Sequence, residues 1–330
     1  MSGGRVVSGM RPTGKLHFGH YHGVLANWLK LQAEYDCFFF VADWHALTTE
    51  YADPGGLRES IREMALDWLA VGIDPERSTV FLQSQVAEHA ELHVLLSMIT
   101  PISWLERNPT YKDMIAELKE KDLHTYGFLG YPVLQTADVI VYRADKVPVG
   151  ADQAPHIELS REITRRFNHF YGDVFPEPAT LLTESPRVLG TDGRKMSKSY
   201  GNAIYLSDEP GVVEKKMLTM MTDTARKRKT DPGNPDVCPL FLTFHAIYSD
   251  PETTGWVREG CTGATIGCIE CKKSVIPRVL EFLEPIQRRR AELEKDVQQV
   301  YRILNQGEGR AGEVARRTMA TVRQAMGLVE

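Results

Sequence analysis

Arg11-Pro12-Thr13-Gly14-Lys15-Leu16-His17-Phe18-Gly19-His20 is a glycine-punctuated turn set between an apolar stretch, residues 5–9, and a helical one, residues 20–35. In the helical stretch Val24, Trp28 and Leu31 recur at spacings of four and three, on one helix face. A strand that runs through such a turn into a helix is the opening unit of a parallel α/β sheet. The turn also has a chemical reading. Backbone amides at a glycine-rich helix entry hold phosphate well, and Gly14, Gly19 and Gly23 permit close approach. His17 and His20 can donate to phosphate oxygens and stabilise charge building on an α-phosphate.

Outward from this turn the alternation continues. Residues 37–43 (Cys-Phe-Phe-Phe-Val-Ala-Asp) form a continuous apolar run, as expected of a strand buried on both faces. A helix over 57–71, a strand over 79–83 and a helix from about 88 follow. Residues 100–126 are more polar and less regular; they read as an insertion between the halves of the sheet domain and as the expected dimer contact. A helix over 127–142, a strand over 147–149 and a helix over 155–167 complete this part. After about residue 203 strand signals stop. Two helices are predicted, 274–304 and 310–327, with Leu293, Val297, Val300 and Leu304 on one and Ala315, Met319, Val322 and Met326 on the other. Gly307 and Gly309 mark the expected break between them. The fold class is therefore α/β: a Rossmann-like parallel-sheet domain over 1–203, then a mostly helical domain over 204–330.

Length and composition bound the rest. The 330 residues suffice for two ordinary domains, and 42% hydrophobic, 25% charged residues and a net charge of −5 describe a globular chain. No apolar run reaches the length of a membrane span, and Met1-Ser2-Gly3-Gly4-Arg5 lacks a signal-peptide shape. A cytoplasmic protein without membrane contact is expected. Mild acidity does not favour a phosphate-rich partner, so any nucleic-acid contact must come from local clusters. Arg226-Lys227-Arg228-Lys229, Arg288-Arg289-Arg290 and Arg316-Arg317 are the candidates, each equally readable as a solvated surface.

Three further segments carry chemistry. The basic loop Gly193-Arg194-Lys195-Met196-Ser197-Lys198-Ser199-Tyr200-Gly201 places Lys195 and Lys198 three apart, able to fold over a leaving pyrophosphate, with Ser197 and Ser199 as hydroxyl donors. Val147-Pro148-Val149-Gly150-Ala151-Asp152-Gln153 reads as a strand ending in Gly then Asp, at the sheet edge where ligands of doubly wound folds sit. Asp152 there can accept from ribose hydroxyls. After Gly130, Tyr131, Gln135 and Asp138 fall at i, i+4 and i+7 of a helix, hence on one face. Such groups are costly to bury unpaired, so that face is wet or holds a polar ligand.

Four of the five cysteines lie late in the chain: Cys238, Cys261, Cys268 and Cys271, with 22, 6 and 2 residues between them. In a cytoplasmic chain this clustering favours metal over disulfides. Spacing does not decide between a structural Zn²⁺ and a [4Fe–4S] cluster. Cys37, inside the apolar run, reads as a core thiol.

The histidine turn and the lysine loop together resemble the two signatures of class I aminoacyl-tRNA synthetases. A lone His-x-Gly-His also occurs in other nucleotidyltransferases. From Ser8-Gly9-Met10-Arg11-Pro12-Thr13-Gly14 onward the chain is similar to tryptophanyl-tRNA synthetases, through Ala42-Asp43-Trp44-His45-Ala46-Leu47-Thr48, Tyr131-Pro132-Val133-Leu134-Gln135 and His156-Ile157-Glu158-Leu159. The resemblance implies a dimeric tryptophan–tRNA ligase acting on ATP with Mg²⁺, tryptophan and tRNA(Trp). It implies that Asp138 accepts the indole N–H, that Tyr131 and Gln153 bind the substrate ammonium, and that His45, Val147 and Val149 line the indole slot with Gln135 nearby. Arg11, Pro12, Thr13, Gly19, His20, Gly150, Ala151, Asp152, Val188 and the loop Lys195, Met196, Ser197, Lys198, Ser199 would hold ATP, with His17, His20, Lys195 and Lys198 serving catalysis. It also implies a [4Fe–4S] cluster on the four cysteines, as in one branch of these enzymes, with Zn²⁺ as the alternative. Chemistry alone leaves tyrosine open, since Asp138 can accept from a phenol too; Val7 stands where tyrosyl enzymes carry a second phenol partner. A relative that binds RNA without catalysing is a further reading, which the intact His17, His20, Lys195 and Lys198 disfavour.

Overall fold

The computed structural model describes residues 3–108, 111–112, 115, 122–150, 154–182 and 186–328. One parallel sheet holds five strands, β1 (Arg5–Met10), β2 (Asp36–Val41), β3 (Ser78–Leu82), β4 (Lys146–Val149) and β5 (Ala179–Leu182), in the order β3-β2-β1-β4-β5. β1 is central: Arg5 lies opposite Asp36 and Met10 opposite Val41, while Val6 pairs with Lys146 on the other side. The apolar run ends as a strand at Val41, because Asp43 opens a helix, Asp43–Glu50, that the pattern does not announce. β5 is equally unannounced. It is a largely exposed edge strand, so burial imposes no pattern on its residues.

Period-two alternation sorts the strand side chains onto two faces. Val6, Cys37, Phe39, Val41 and Val80 enter one core; Val7, Phe38, Phe40 and Phe81 enter the other. On the first face Trp28 stacks on Phe39 at 4.2 Å and meets Trp68 edge-on at 4.9 Å, which seats the first helical segment and the Leu57–Val71 helix. Cys37 is fully buried there, and burial pushes its thiol up to about 12. On the second face lie the helices Glu88–Ser97, Tyr126–Ile140 and Ala154–Tyr171.

Two sequence expectations change. The stretch expected as one helix over 20–35 starts earlier and is interrupted: Phe18–His20 is α-helical, Tyr21–Leu25 π-helical and Ala26–Leu31 α-helical again. The two C-terminal helices are Cys268–Lys295 and Val297–Ala325, so the break falls at Asp296 and not at Gly307 and Gly309. Asp296 caps the second helix by accepting from Gln299 N–H. Gly307 sits inside that helix because the helix lies directly on β3; a β-carbon there would fall 1.8 Å from the Val80 carbonyl oxygen. The same helix sends Ala311, Ala315, Met319 and Val322 into the second core, and residues on both sides of position 203 share the first. Among the described residues no helix is long and apolar enough to cross a membrane.

Candidate active site

The strand order reverses between β1 and β4, and the crevice outside the carboxyl ends of such strands is the general ligand position of open α/β sheets. A cavity of about 510 Å³ occupies it. The turn contributes Arg11, Thr13 and His20; the Asp43–Glu50 helix gives His45; the Tyr126–Ile140 helix gives Tyr131, Gln135 and Asp138; β4 gives Val147 and Val149, followed by Gly150. Val7 of β1 lies in the same wall. Pro12 is buried and does not line the cavity. Ala151, Asp152 and Gln153 lie outside the described residues, as does much of the 100–126 segment.

The turn and the basic loop meet. Phe18 N–H donates to the Ile204 carbonyl at 3.2 Å and Leu206 N–H to the Leu16 carbonyl at 2.9 Å, so the turn is zipped to the chain just beyond the loop. Lys198 Nζ donates to the Thr13 carbonyl at 3.0 Å, at the cavity rim. Gly14, with φ +89°, leaves room for that ammonium; a β-carbon would sit 3.1 Å from it. Met196 is buried beneath the loop beside Val188, whose carbonyl accepts from Met196 N–H. Lys195, Lys198 and Ser199 are exposed and Ser197 half-buried; neither lysine lines the cavity. Asn202, which spacing did not single out, clamps the loop: its Oδ1 accepts from Ser197 N–H at 2.8 Å, and its Nδ2 donates to Asp192 and to the Lys195 carbonyl.

The two histidines stack at 3.8 Å between ring centroids, and His17 N–H donates to His20 Nδ1. Burial pulls His17 down to about 3, with His20 adding to the effect, and pulls His20 down to about 4. Both are therefore neutral at pH 7 and offer ring N–H groups instead of fixed charge. His17 lies beside Gly19 and does not line the cavity.

Asp138 is the most enclosed polar group of the site. Oδ1 accepts from Gln83 Nε2 at 2.8 Å and lies 2.6 Å from His89 Nδ1; Oδ2 lies 2.7 Å from His45 Nε2. Burial alone would raise this carboxyl, but His45 and His89 outweigh it and hold the group below its ordinary range. Tyr131 sits opposite, 3.4 Å from His156 through its hydroxyl, and burial raises its own ionisation. Gln83 and His89 escaped sequence reasoning because they come from different elements at no fixed spacing from Asp138.

Residues 3–284 match the model of the class I tRNA synthetases (W and Y). The chain belongs to that family. It is 53% identical to the tryptophan–tRNA ligase of Thermotoga maritima, with 98% of this chain and 99% of the relative covered. It is 47% identical to that of Aquifex aeolicus, over 98% and 100%. Among solved structures it resembles the Campylobacter jejuni tryptophanyl-tRNA synthetase complexed with ADP and tryptophan, with a TM-score of 0.88 and 31% identity over 98% and 99% of the two chains.

In this synthetase the four late cysteines are free thiols that converge. Cys238 follows a short 3₁₀ turn, Cys261 closes the Pro251–Thr262 helix, and Cys268 and Cys271 open the next. Burial, then Cys238, Cys261 and Cys268, push the Cys271 thiol up to about 12. Yet among the described residues no group of three or more His, Cys, Asp or Glu side chains is placed to hold a metal ion. The expected Arg288-Arg289-Arg290 nucleic-acid cluster is corrected: Arg290 is buried and paired with Glu63 and Asp67, and Arg289 Nε donates to the Ala70 carbonyl. Arg226-Lys227-Arg228-Lys229 instead line an open groove with Cys268 and Lys273.

Proposed function

We propose that the chain is a tryptophan–tRNA ligase. It condenses tryptophan with ATP to tryptophanyl-adenylate and pyrophosphate, then transfers tryptophan to the 3′-terminal adenosine of tRNA(Trp). The observation that carries this reading is the buried, ionised Asp138 facing a cavity whose other wall is the glycine-rich turn, with Lys198 at its rim.

The chemistry needs little acid–base catalysis. The tryptophan carboxylate is the nucleophile; its oxygen forms the bond to the α-phosphorus as the bond to the pyrophosphate oxygen breaks. The protein's task is alignment and charge stabilisation. In this reading Asp138 accepts the indole N–H, and Tyr131, Gln135 and Gln153 hold the amino-acid backbone. His45, Val147 and Val149 shape the ring slot, and Val7 offers a phenol no partner. The triphosphate lies on Arg11, Pro12, Thr13, Gly19 and His20, with the ribose end on Gly150, Ala151 and Asp152 and the loop over Val188 closing from above. Lys195 and Lys198, with Ser197 and Ser199, neutralise the leaving pyrophosphate, while His17 and His20 donate to the α-phosphate. Mg²⁺, carried in on ATP, neutralises part of the triphosphate charge. Asp138→Ala is expected to lower tryptophan-dependent ATP–pyrophosphate exchange at least about a hundredfold, the cost of a lost charged hydrogen bond plus a disordered pocket. Near-normal exchange, or faster charging of tRNA with tyrosine than with tryptophan, overturns the reading.

Cys238, Cys261, Cys268 and Cys271 would hold a [4Fe–4S] cluster in this reading, with Zn²⁺ as the alternative. A single Zn²⁺ needs four sulfurs about 2.3 Å from one point, whereas a cluster places each thiolate on a different iron and wants them farther apart. Cys238, Cys261 and Cys268 all act on the Cys271 thiol, so the four lie in one neighbourhood. The cluster would supply a rigid cross-link for a loop-rich segment, and the adjoining basic groove suits tRNA phosphates. Protein purified without air should be brown and contain iron and sulfide; colourless protein holding one zinc rejects the cluster. Residues 1–203 thus do the chemistry and 204–330 read tRNA. A homodimer in the cytoplasm completes the proposal, with Val94, Met98, Ile102 and Tyr126 as an exposed apolar surface around the 100–126 segment.

A further inference from the structure

We propose that His89 is a positioning residue for amino-acid selection, fixing the Asp138 carboxylate so that one acceptor position on Oδ2 faces the cavity. The inference rests on the reading of Asp138 as the indole acceptor.

His89 is fully buried on the Glu88–Ser97 helix and does not line the cavity, so in this reading it acts through Asp138. Its Nδ1 lies 2.6 Å from Asp138 Oδ1 and its Nε2 lies 2.6 Å from the Tyr142 hydroxyl. An ionised carboxylate only accepts, so Nδ1 carries the proton; in a neutral ring Nε2 then accepts from the Tyr142 O–H. The result is a directed chain, Tyr142 to His89 to Asp138. Gln83 Nε2 donates to the same Oδ1, which fills both lone pairs of that oxygen. On Oδ2, His45 takes one position and leaves one. An indole N–H, a donor with no acceptor, fills that position and asks for nothing in return. A phenol also brings lone pairs, while His45, His89 and one N–H of Gln83 are already turned to the carboxylate. Removing His89 leaves Gln83 alone on Oδ1, lets the carboxylate turn, and loses the prepared acceptor.

The test compares His89→Leu with His89→Asn, whose Nδ2 can replace the Nδ1 donor, in ATP–pyrophosphate exchange with the full chain. Asp138→Ala is the control and thermal unfolding is measured in parallel. His89→Leu is expected to raise KM for tryptophan about ten- to a hundredfold, with kcat and KM for ATP changed by no more than about threefold, as for binding lost equally from ground and transition states. His89→Asn should restore KM for tryptophan to within about threefold of the parent. A His89→Leu KM near the parent value while Asp138→Ala is impaired overturns the inference alone. So does an Asn variant as impaired as Leu, which would mark His89 as filler. An Asp138→Ala enzyme with unchanged KM for tryptophan removes the underlying reading instead. If His89→Leu does not fold, Tyr142→Phe deletes only the hydroxyl and should raise the same KM about threefold or more; an unchanged KM there also overturns it.

Discussion

Single atoms decide how closely this chain can fold on itself. Gly307 is the sharpest case: the C-terminal helix lies so near β3 that the Val80 carbonyl fills the space a β-carbon would need. Gly307→Ala must move a helix that also seats Ala311, Ala315 and Met319 in the core. The expected cost is about 3 kcal/mol, at the upper end for overpacking, read as a lower urea midpoint with unchanged slope; a loss below about 0.5 kcal/mol would mean the helix shifts freely. Sequence reading took this glycine for a helix break, because a glycine needed for close approach and one that ends a helix look alike without the neighbour. Asp138 was legible for the opposite reason. Its spacing from Tyr131 and Gln135 lies within one helix, where periodicity fixes the face. Its partners Gln83 and His89 belong to other elements, and only tertiary structure brings them in.

Among the elements, the basic loop shows how a motif becomes a site. Its sequence announces two ammonium groups, but what holds them is Asn202, whose amide ties Ser197 N–H, the Lys195 carbonyl and Asp192 together. Asn202 is itself buried, against Gly190, where a β-carbon would collide with it. Asn202→Ala should loosen the loop without touching the amino-acid pocket. The expected result is exchange kcat lower by about tenfold, with KM for tryptophan within about twofold of the parent, since misplacement by about an ångström costs that order or more. Equal kcat would show that the loop orders on ATP alone. The sheet itself was legible, because parallel strands buried on both faces write continuous apolar runs. The Asp43–Glu50 helix and β5 were not, the first hidden behind an apolar run and the second exposed on an edge.

Across the whole molecule, the turn that begins the chemistry is held from the far end of the chain. Asp67 Oδ2 accepts from Leu16 N–H at 2.7 Å, and Arg290, from the Cys268–Lys295 helix, pairs with Asp67 and Glu63. Around this tie the fold buries histidines in neutral form: His17 at about 3, His20 at about 4 and His22 at about 4, all lowered by burial from 6.5. His22 also bonds the Tyr248 hydroxyl at 2.7 Å, joining the first helical segment to the later part of the chain. The unfolded chain takes up protons on these rings as pH falls through 6.5, while the fold refuses them until about 4, so stability is present above pH 6.5 and is lost on acidification toward 4. Each ring contributes a slope of up to about 1.4 kcal/mol per pH unit. Burial raises Asp67 to about 6 and raises Asp43 as well, which works in the opposite sense, while His245, pulled down to about 4, and His93, also lowered by burial, add to the histidine side. Between pH 7 and 6 the histidines act almost alone. The melting temperature should therefore fall steadily from pH 7 to pH 5, and His22→Gln should flatten that fall by close to one proton's worth while lowering stability at pH 7. A melting temperature indifferent to pH across this range would show that these rings are reached by water and protonate in place.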